Sequence, residues 1–413
     1  MDQRFTFVLI GLAVRLGLAP FFMHPWDTTT IMEASQQFLS GVNPFRYVVE
    51  QSAVLQNKSG LPLNYYGFAW LPHVLFIFAP FYWLYTMLFG GAWPFIGGHG
   101  EVSEPVLVLP QLYAFLVLIK LPVILADAAI IYLLYSRGRR LALLYALNPY
   151  VIFVTAIWGM FDQIVGLFLL LSYLLFQRSK ALSGFFYGLG LMKLYTLPLV
   201  GAYVFHLWRK PREFLQFLGG AAVALLPTVY WLLGDFQSFL KIIVFQGTRP
   251  VNGVNMYSFA IGIRGIFSQT VITQIASVAF LAAVIALIIV IVRRSLGLLE
   301  SLLVLLLSYL IFAPVTNEQY LAALLPLAFL STRFKQYLSV FPLVFVAFGP
   351  RLFYYSWPLF GGNLDGLMSV DALWSKAFAS VELFILYGVA LTFAMLAFRT
   401  LIVHMISRQS SAG

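Results

Sequence analysis

No cysteine occurs in the 413 residues, which excludes disulfides and thiolate metal sites and leaves the redox compartment unread. Charge is almost as scarce: Asp, Glu, Lys and Arg make up 10% of the chain, and only fifteen residues are acidic. A soluble domain carries about a quarter charged residues, so this composition excludes an ordinary water-soluble fold. Short alternating apolar segments are missing too, which excludes a transmembrane barrel. The formal charge of +10 comes without a contiguous basic face, because Lys and Arg fall in short clusters between apolar runs. Nucleic acid is therefore not expected as a partner. No internal repeat, low-complexity tract or soluble domain is evident.

What is present is apolar and aromatic: 61% of the residues are hydrophobic, with 40 Phe, 22 Tyr and 9 Trp, and the mean hydropathy is +0.90. The apolar runs extend continuously for about 20 residues, the length that crosses a bilayer as a helix. The expected fold class is an all-α polytopic membrane protein, one integral domain over 1–413 with about 10 to 13 membrane segments. The opening stretch 5–22 lacks a small-residue cleavage site and reads as a retained first helix. Arg137, Arg139 and Arg140, then Arg178 and Lys180, Arg209, Lys210 and Arg212, Arg293 and Arg294, and Arg333 and Lys335 mark the cytoplasmic face. Most carboxylates then fall on the other side, among them Asp27, Glu33 and Glu50 in a first outward loop at 23–67, Asp235 in a second at 234–269, and Glu101, Glu104, Asp162, Glu318, Asp365 and Asp371. The setting is a multi-pass protein of a prokaryotic cell membrane, or of the endoplasmic reticulum if the source is eukaryotic, with its chemistry on the extracytoplasmic face.

Further helices are expected roughly at 110–135, 141–158, 161–177, 213–233, 270–292, 297–315, 320–332, 336–355 and 377–398. Two stretches break the simple count. Residues 68–108 are expected to dip into the membrane and return, bending near Pro80. Residues 181–208 are too short for two crossings at about 1.5 Å per residue, and read as a hairpin of short helices turning near Lys193 and Pro198. Irregular backbone at membrane depth survives only where it is buried in protein or lines a wet cavity, so both breaks point toward a site.

Several polar residues stand out in this frame. Asp27 follows the first helix and suits either an N-cap or a carboxylate aimed by one. Asp162 and the run Glu318-Gln319-Tyr320 occupy outer turns, where capping or plain solvation is the alternative. Lys120 and Asp127 lie seven residues apart on one helix face, about 10 Å of axial rise, so they need separate partners. Lys193 either serves the bend or snorkels to the surface. Arg249 sits in the second outward loop. His24 and Glu33 near Asp27 are metal-ligand types, but His24-Pro25 reads as structural, so no divalent metal and no cofactor are expected.

One aimed carboxylate and several cations at an outer membrane face fit glycosyl transfer from a lipid-phosphate sugar. The carboxylate would act as general base on the acceptor hydroxyl, and Lys or Arg would stabilise the departing lipid phosphate. A single displacement of this kind inverts the anomeric centre.

Order and spacing strengthen the reading. Gly41-Val42-Asn43-Pro44-Phe45 after Asp27 and Glu33, Lys120 with Asp127, Leu147-Asn148-Pro149 followed by Asp162-Gln163-Ile164-Val165, Phe186-Tyr187-Gly188-Leu189, Met192-Lys193-Leu194-Tyr195, Thr248-Arg249 with Asn255, and Asn317-Glu318-Gln319-Tyr320 with Leu325-Pro326 share a pattern. Together they resemble the GT-C superfamily of membrane glycosyltransferases, most closely the catalytic subunit of GPI mannosyltransferase I and its prokaryotic relatives. Of that family's first-loop acidic pair only the second position, Asp27, is filled; Pro25 stands at the first. The resemblance implies a GT-C-like bundle and a polyprenyl- or dolichyl-phosphate mannose donor. It implies a hydroxyl acceptor on a glycolipid, lipid-linked glycan or protein, with a small membrane subunit as a further partner. It assigns Asp27 as base, Arg249 and Lys193 to the donor phosphate, and Glu33, Asp162, Asn255, Glu318, Gln319 and Tyr320 to the sugar and acceptor site. Lys120 and Asp127 are placed as intramembrane structural groups. The alternatives are a secondary transporter, for which Lys120 and Asp127 would serve a proton path, and a non-catalytic membrane subunit.

Overall fold

A computed structural model describes residues 3–59, 68–90, 109–247 and 268–331, together with 249, 251–253, 257 and 356. Among these residues the chain is helical, apart from one two-residue parallel pairing of β1 (Asn252–Gly253) with β2 (Val315–Thr316). Five helices are long and apolar enough to cross a membrane, or six if one bent pair counts as a span. The protein is thus an all-α chain of the multi-pass membrane type. Shorter apolar helices at Asp162–Leu175, Leu194–Leu207, Leu298–Phe312 and Leu321–Leu330 accompany them. The expected helices at 336–355 and 377–398, and the segment 91–108, lie outside the described residues.

The chain packs as two compact units. The first contains α1 (Gln3–Leu18), α2 (Pro25–Leu39), α3 (Pro44–Ser59), α4 (Leu75–Phe89), α5 (Leu109–Tyr135), α6 (Arg139–Ala146) and α7 (Pro149–Ile152), which runs into a π-helix at Phe153–Trp158. The second contains most of α8 (Asp162–Leu175), then α9 (Lys180–Gly190), α10 (Val200–Leu207) and the first part of α11 (Pro211–Gly234). The end of α11 and α12 (Phe236–Gly247) belong to the first unit; α13 (Gln269–Arg294), α14 (Leu298–Phe312) and α15 (Leu321–Leu330) belong to the second.

Local chemistry sets the breaks. The stretch expected as the first outward loop is largely helical among its described residues, and Gly41 supplies the left-handed turn (φ 73°) that ends α2. Asn43 then caps α3, its Oδ1 accepting from the Phe45 N–H at 3.0 Å, and Pro44 takes the first helical position, where a missing N–H does no harm. The same device recurs at Asn148-Pro149. Asn148 Oδ1 accepts from the N–H groups of Tyr150 and Val151 at 3.0 and 3.1 Å, and the helix expected at 141–158 is bent there by 47°. Pro80, by contrast, sits inside an unbroken α4, so the expected bend there does not occur. Within 181–208 the break lies at residues 191–193, as expected for Lys193, while Pro198 is absorbed into a 3-10 segment, Leu194–Leu199.

In the second unit, α9 and α11 approach backbone to backbone. A β-carbon added at Gly184 would stand 1.9 Å from the Phe217 carbonyl oxygen, and one at Gly220 1.9 Å from that of Ala181. Small residues permit such contact where lipid gives helices no hydrophobic reason to associate. Gly219, the neighbour of Gly220, faces open space. Gly220→Ala is therefore expected to lower the melting temperature in detergent, by overpacking of roughly 1–3 kcal/mol. Gly219→Ala should raise stability by up to about 1 kcal/mol through helix propensity. Equal melting shifts for the two variants would contradict the packing.

In the first unit, α1 is bound to α5 by an ion pair with both side chains fully buried. Arg15 Nε lies 2.6 Å from Asp127 Oδ2, and Nη1 donates to the carbonyls of Gly11 and Ala146. The Tyr145 hydroxyl is 2.8 Å from Asp127 Oδ1 and 2.9 Å from Gln163 Oε1. Removing one ion strands the other, at about 3–5 kcal/mol, whereas removing both is far milder. Arg15→Leu alone should destabilise strongly in thermal melts, and the Arg15→Leu/Asp127→Leu pair should recover most of the loss. Additive losses would show that the two charges do not depend on each other.

Candidate functional site

The site is built from two helix ends that stop inside the first unit. After α1 and a 3-10 turn at Ala19–Phe21 the chain extends through Phe22, and the π-helix stops at Trp158, where Gly159 turns left-handed at φ 86°. Helix ends leave carbonyls without partners and carry partial negative charge. Lys120, buried on α5, answers both ends. Its ammonium donates to the carbonyl oxygens of Ala19 at 2.9 Å and Ala156 at 2.7 Å, and to that of Phe22, with Ile157 O at 3.4 Å. Gly159 is required twice over, by its positive φ and because a β-carbon there would lie 2.9 Å from Lys120 Cε.

Holding these ends together places residues 24–27 against Trp158. The His24 N–H donates to the Trp158 carbonyl at 3.3 Å, and the two rings stack at 5.2 Å with 17° between their planes. His24 is the N-cap of α2: its Nδ1 accepts from the Asp27 N–H at 3.1 Å. Asp27 itself is therefore not the cap but sits in the first turn, where a carboxylate is favoured by the helix dipole. Its Oδ2 accepts from the Trp158 indole N–H at 2.7 Å and lies 3.1 Å from His24 Nδ1, with the Asp27 side chain 15% exposed. Oδ1 has no partner among the described residues. The result is a carboxylate oriented through one oxygen and open at the other.

Glu33, six residues further along α2, is buried. Burial first, and the Glu33 charge second, hold the Tyr47 hydroxyl above its usual range. Asp162 begins α8 and is fully buried. Elsewhere in the first unit Trp70 packs edge-on against Phe161 at 4.9 Å, and Phe45 against Phe68 at 5.6 Å. Phe45, the aromatic residue of the Gly-x-x-Pro-aromatic motif, thus serves packing of the turn.

Four other sequence candidates gather in the second unit. β1 pairs with β2, which draws the Arg249 segment toward residues 315–320. Lys193 is buried, not snorkelling, with Nζ 5.4 Å from the Tyr320 ring centroid. Tyr320 stacks on Tyr195 at 4.4 Å and 29°, and the Arg249 charge reaches Tyr309, whose ring is 6.3 Å from that of Tyr320. Gln319 is buried, and its Oε1 accepts no hydrogen bond among the described residues. Asn255 and the Glu318 side chain lie outside the described residues. Among the described residues no group of three or more metal-ligating side chains occurs.

Lys120 and Asp127 have separate partners, as their spacing requires. Sequence reasoning missed Arg15, although a lone cation inside an apolar first helix is itself a signal of an intramembrane partner. It also missed Trp158 as the anchor of Asp27, for which sequence offers no cue beyond an indole beside a helix-ending glycine. No protein-family model, curated protein or solved structure matches the chain.

Replacing Lys120 by Met leaves several carbonyls unsatisfied and should cost roughly 2–4 kcal/mol in thermal melts. In protein labelled with nitrogen-15 tryptophan, the Trp158 indole proton, assigned with Trp158→Phe, should resonate downfield because it donates to a carboxylate. It should move toward the position of a free indole in Asp27→Ala and equally in Lys120→Met. An unmoved resonance in Lys120→Met would show that the ammonium does not hold the Asp27–Trp158 pair.

Proposed function

We propose that the protein is a membrane glycosyltransferase that uses Asp27 as general base to move a hexose, mannose being the first choice, from a polyprenyl- or dolichyl-phosphate donor to a hydroxyl acceptor. The observation that supports this most is the Asp27 carboxylate itself, anchored at 2.7 Å by the Trp158 indole through Oδ2 and open at Oδ1. Anchoring one oxygen fixes the direction of the other, and a general base must first of all be aimed. Oδ1 would take the proton from the acceptor hydroxyl as that oxygen attacks the anomeric carbon, while the carbon–oxygen bond to the lipid phosphate breaks and the phosphate carries away the electron pair. The sugar would emerge inverted.

The lipid phosphate, newly bearing full charge, calls for cations. The sequence resemblance alone assigns Lys193 and Arg249 to that task. The active site would stand at the extracytoplasmic face, where the outward loop carries Asp27. His24 stacks on Trp158 and caps α2; its role in this reading is to support Asp27, and no metal takes part.

A transporter would find material in the buried Arg15–Asp127 pair. Both oxygens of Asp127 have partners there, Arg15 and Tyr145, although Arg15 Nη2 has no hydrogen-bond partner among the described residues; the tight pairing favours a structural role over a proton path.

Incubating the purified protein with radiolabelled polyprenyl-phosphate mannose and a membrane lipid extract should yield a labelled, chromatographically separable product. Asp27→Asn keeps size and hydrogen bonding but loses basicity. Its turnover should fall by about 10²–10⁴-fold, the usual contribution of a general base, with donor affinity little changed. Wild-type turnover in that variant, or no product with donors carrying several different sugars, would overturn the reading.

A further inference from the structure

A second feature, independent of the proposed transfer, lies in the second unit between α10 and α13. The two helices enclose an apolar groove of about 430 Å³ lined by Gly201, Val204, Phe205, Trp208, Ile288 and Val292. Gly201, Val204, Phe205 and Trp208 follow the i, i+3, i+4, i+7 spacing of one helix face, and Ile288 and Val292 are one turn apart. The absent side chain at Gly201 leaves the space open, with the nearest Ile288 methyl 3.0 Å from where a β-carbon would stand. α13 is the least covered of the candidate spans, with 11% of its apolar window buried, and Val204, Trp208 and Val292 are exposed. The groove therefore opens toward lipid.

Its rim is basic. Arg209 and Lys210 follow Trp208 directly, and Arg293 and Arg294 follow Val292; all four are exposed. Arg209 lies over the Trp208 ring at 4.7 Å, and Lys210 is 3.3 Å from Glu213. Arg293 and Arg294 have no ion-pair partner among the described residues. Basic pockets between membrane helices bind anionic lipid headgroups, and exposed arginines suit a phosphate in two-pronged geometry.

We propose that this groove is a binding site for an anionic glycerophospholipid, with one acyl chain between α10 and α13 and the phosphate at Arg209, Arg293 and Arg294. A zwitterionic headgroup brings its own ammonium toward the unpaired arginines and is disfavoured.

The full-length protein in neutral detergent is titrated with phosphatidylglycerol, phosphatidylcholine and undecaprenyl phosphate, and retained lipid is counted by native mass spectrometry. Phosphatidylglycerol should bind at least about tenfold more tightly than phosphatidylcholine, the gain expected from more than one nearby cation. Arg293→Gln with Arg294→Gln, both at exposed positions, should weaken phosphatidylglycerol by about fivefold per charge removed and leave phosphatidylcholine unchanged. Val204→Phe adds bulk only to the open groove and should weaken both phospholipids. Equal retention of the two phospholipids, unaltered binding in both variants, or tighter binding of undecaprenyl phosphate than of phosphatidylglycerol would each overturn the assignment.

Discussion

A helix that ends at membrane depth has nowhere to put its last carbonyls, because no water stands by to receive them. Two helices of the first unit end inside the protein, where the same demand applies, and one ammonium, that of Lys120, satisfies both. The arrangement around Asp27 follows from that single cation. With the Ala19–Phe22 end tied to the Ala156–Ile157 end, the chain leaving α1 must run beside Trp158, so His24 meets the indole face and Asp27 meets the indole N–H. Gly159 belongs to the same constraint, since any side chain there would occupy the space through which Lys120 reaches the carbonyls. A carboxylate that stands in the first turn of a short helix would otherwise wander with its loop. Here its direction is set from the far side of the unit.

With no cysteine to cross-link the chain, rigidity comes from contacts that lipid cannot replace. The Arg15–Asp127 pair is worth little as net energy after desolvation, but the loss of either member is severe, so it admits one register of α1 against α5. Gly184 and Gly220 serve α9 and α11 in a different way, by bringing main chains within reach of weak but numerous contacts. Asn-Pro pairs do the rest at the helix starts. Asn43 and Asn148 accept the first backbone N–H groups, and Pro44 and Pro149 occupy the position that needs no donor. These are local devices, so they survive wherever the surrounding helices shift.

The local nature of those devices explains what was legible. Span positions follow from apolar length, and α5, α8, α11 and α13 fall within a few residues of their expected bounds. The break at Lys193 was readable because 181–208 is too short to cross twice. Pro80 misled because proline inside a membrane helix can remain in an unbroken helix, its lost hydrogen bond being made good by neighbours. Capping by His24 instead of Asp27 was invisible because both residues can accept an N–H, and only the indole of Trp158, 131 residues further along the chain, decides which one is drawn away. The separate partners of Lys120 and Asp127 were half legible. Spacing ruled out their mutual pairing, but carbonyl partners leave no trace in side-chain identity, and Arg15 lies 112 residues from Asp127. Long-range complementarity of this kind is a property of packing, which a pattern along one chain does not record.

Asp27 differs from the paired, fully enclosed charges of its unit. Arg15 and Asp127 pair with each other, and Lys120 is saturated by carbonyls. Each of these is enclosed, and each would lose its partners if it exchanged a proton with a visitor. Asp27 has the opposite balance: enough support through Oδ2 to hold one orientation, and an Oδ1 with no partner among the described residues on a side chain that keeps some exposure. Saturated charges build a membrane protein, whereas a carboxylate left half satisfied is retained at a cost in stability. That cost is rational if the open oxygen receives something, and under the proposed transfer this would be the proton of the acceptor hydroxyl.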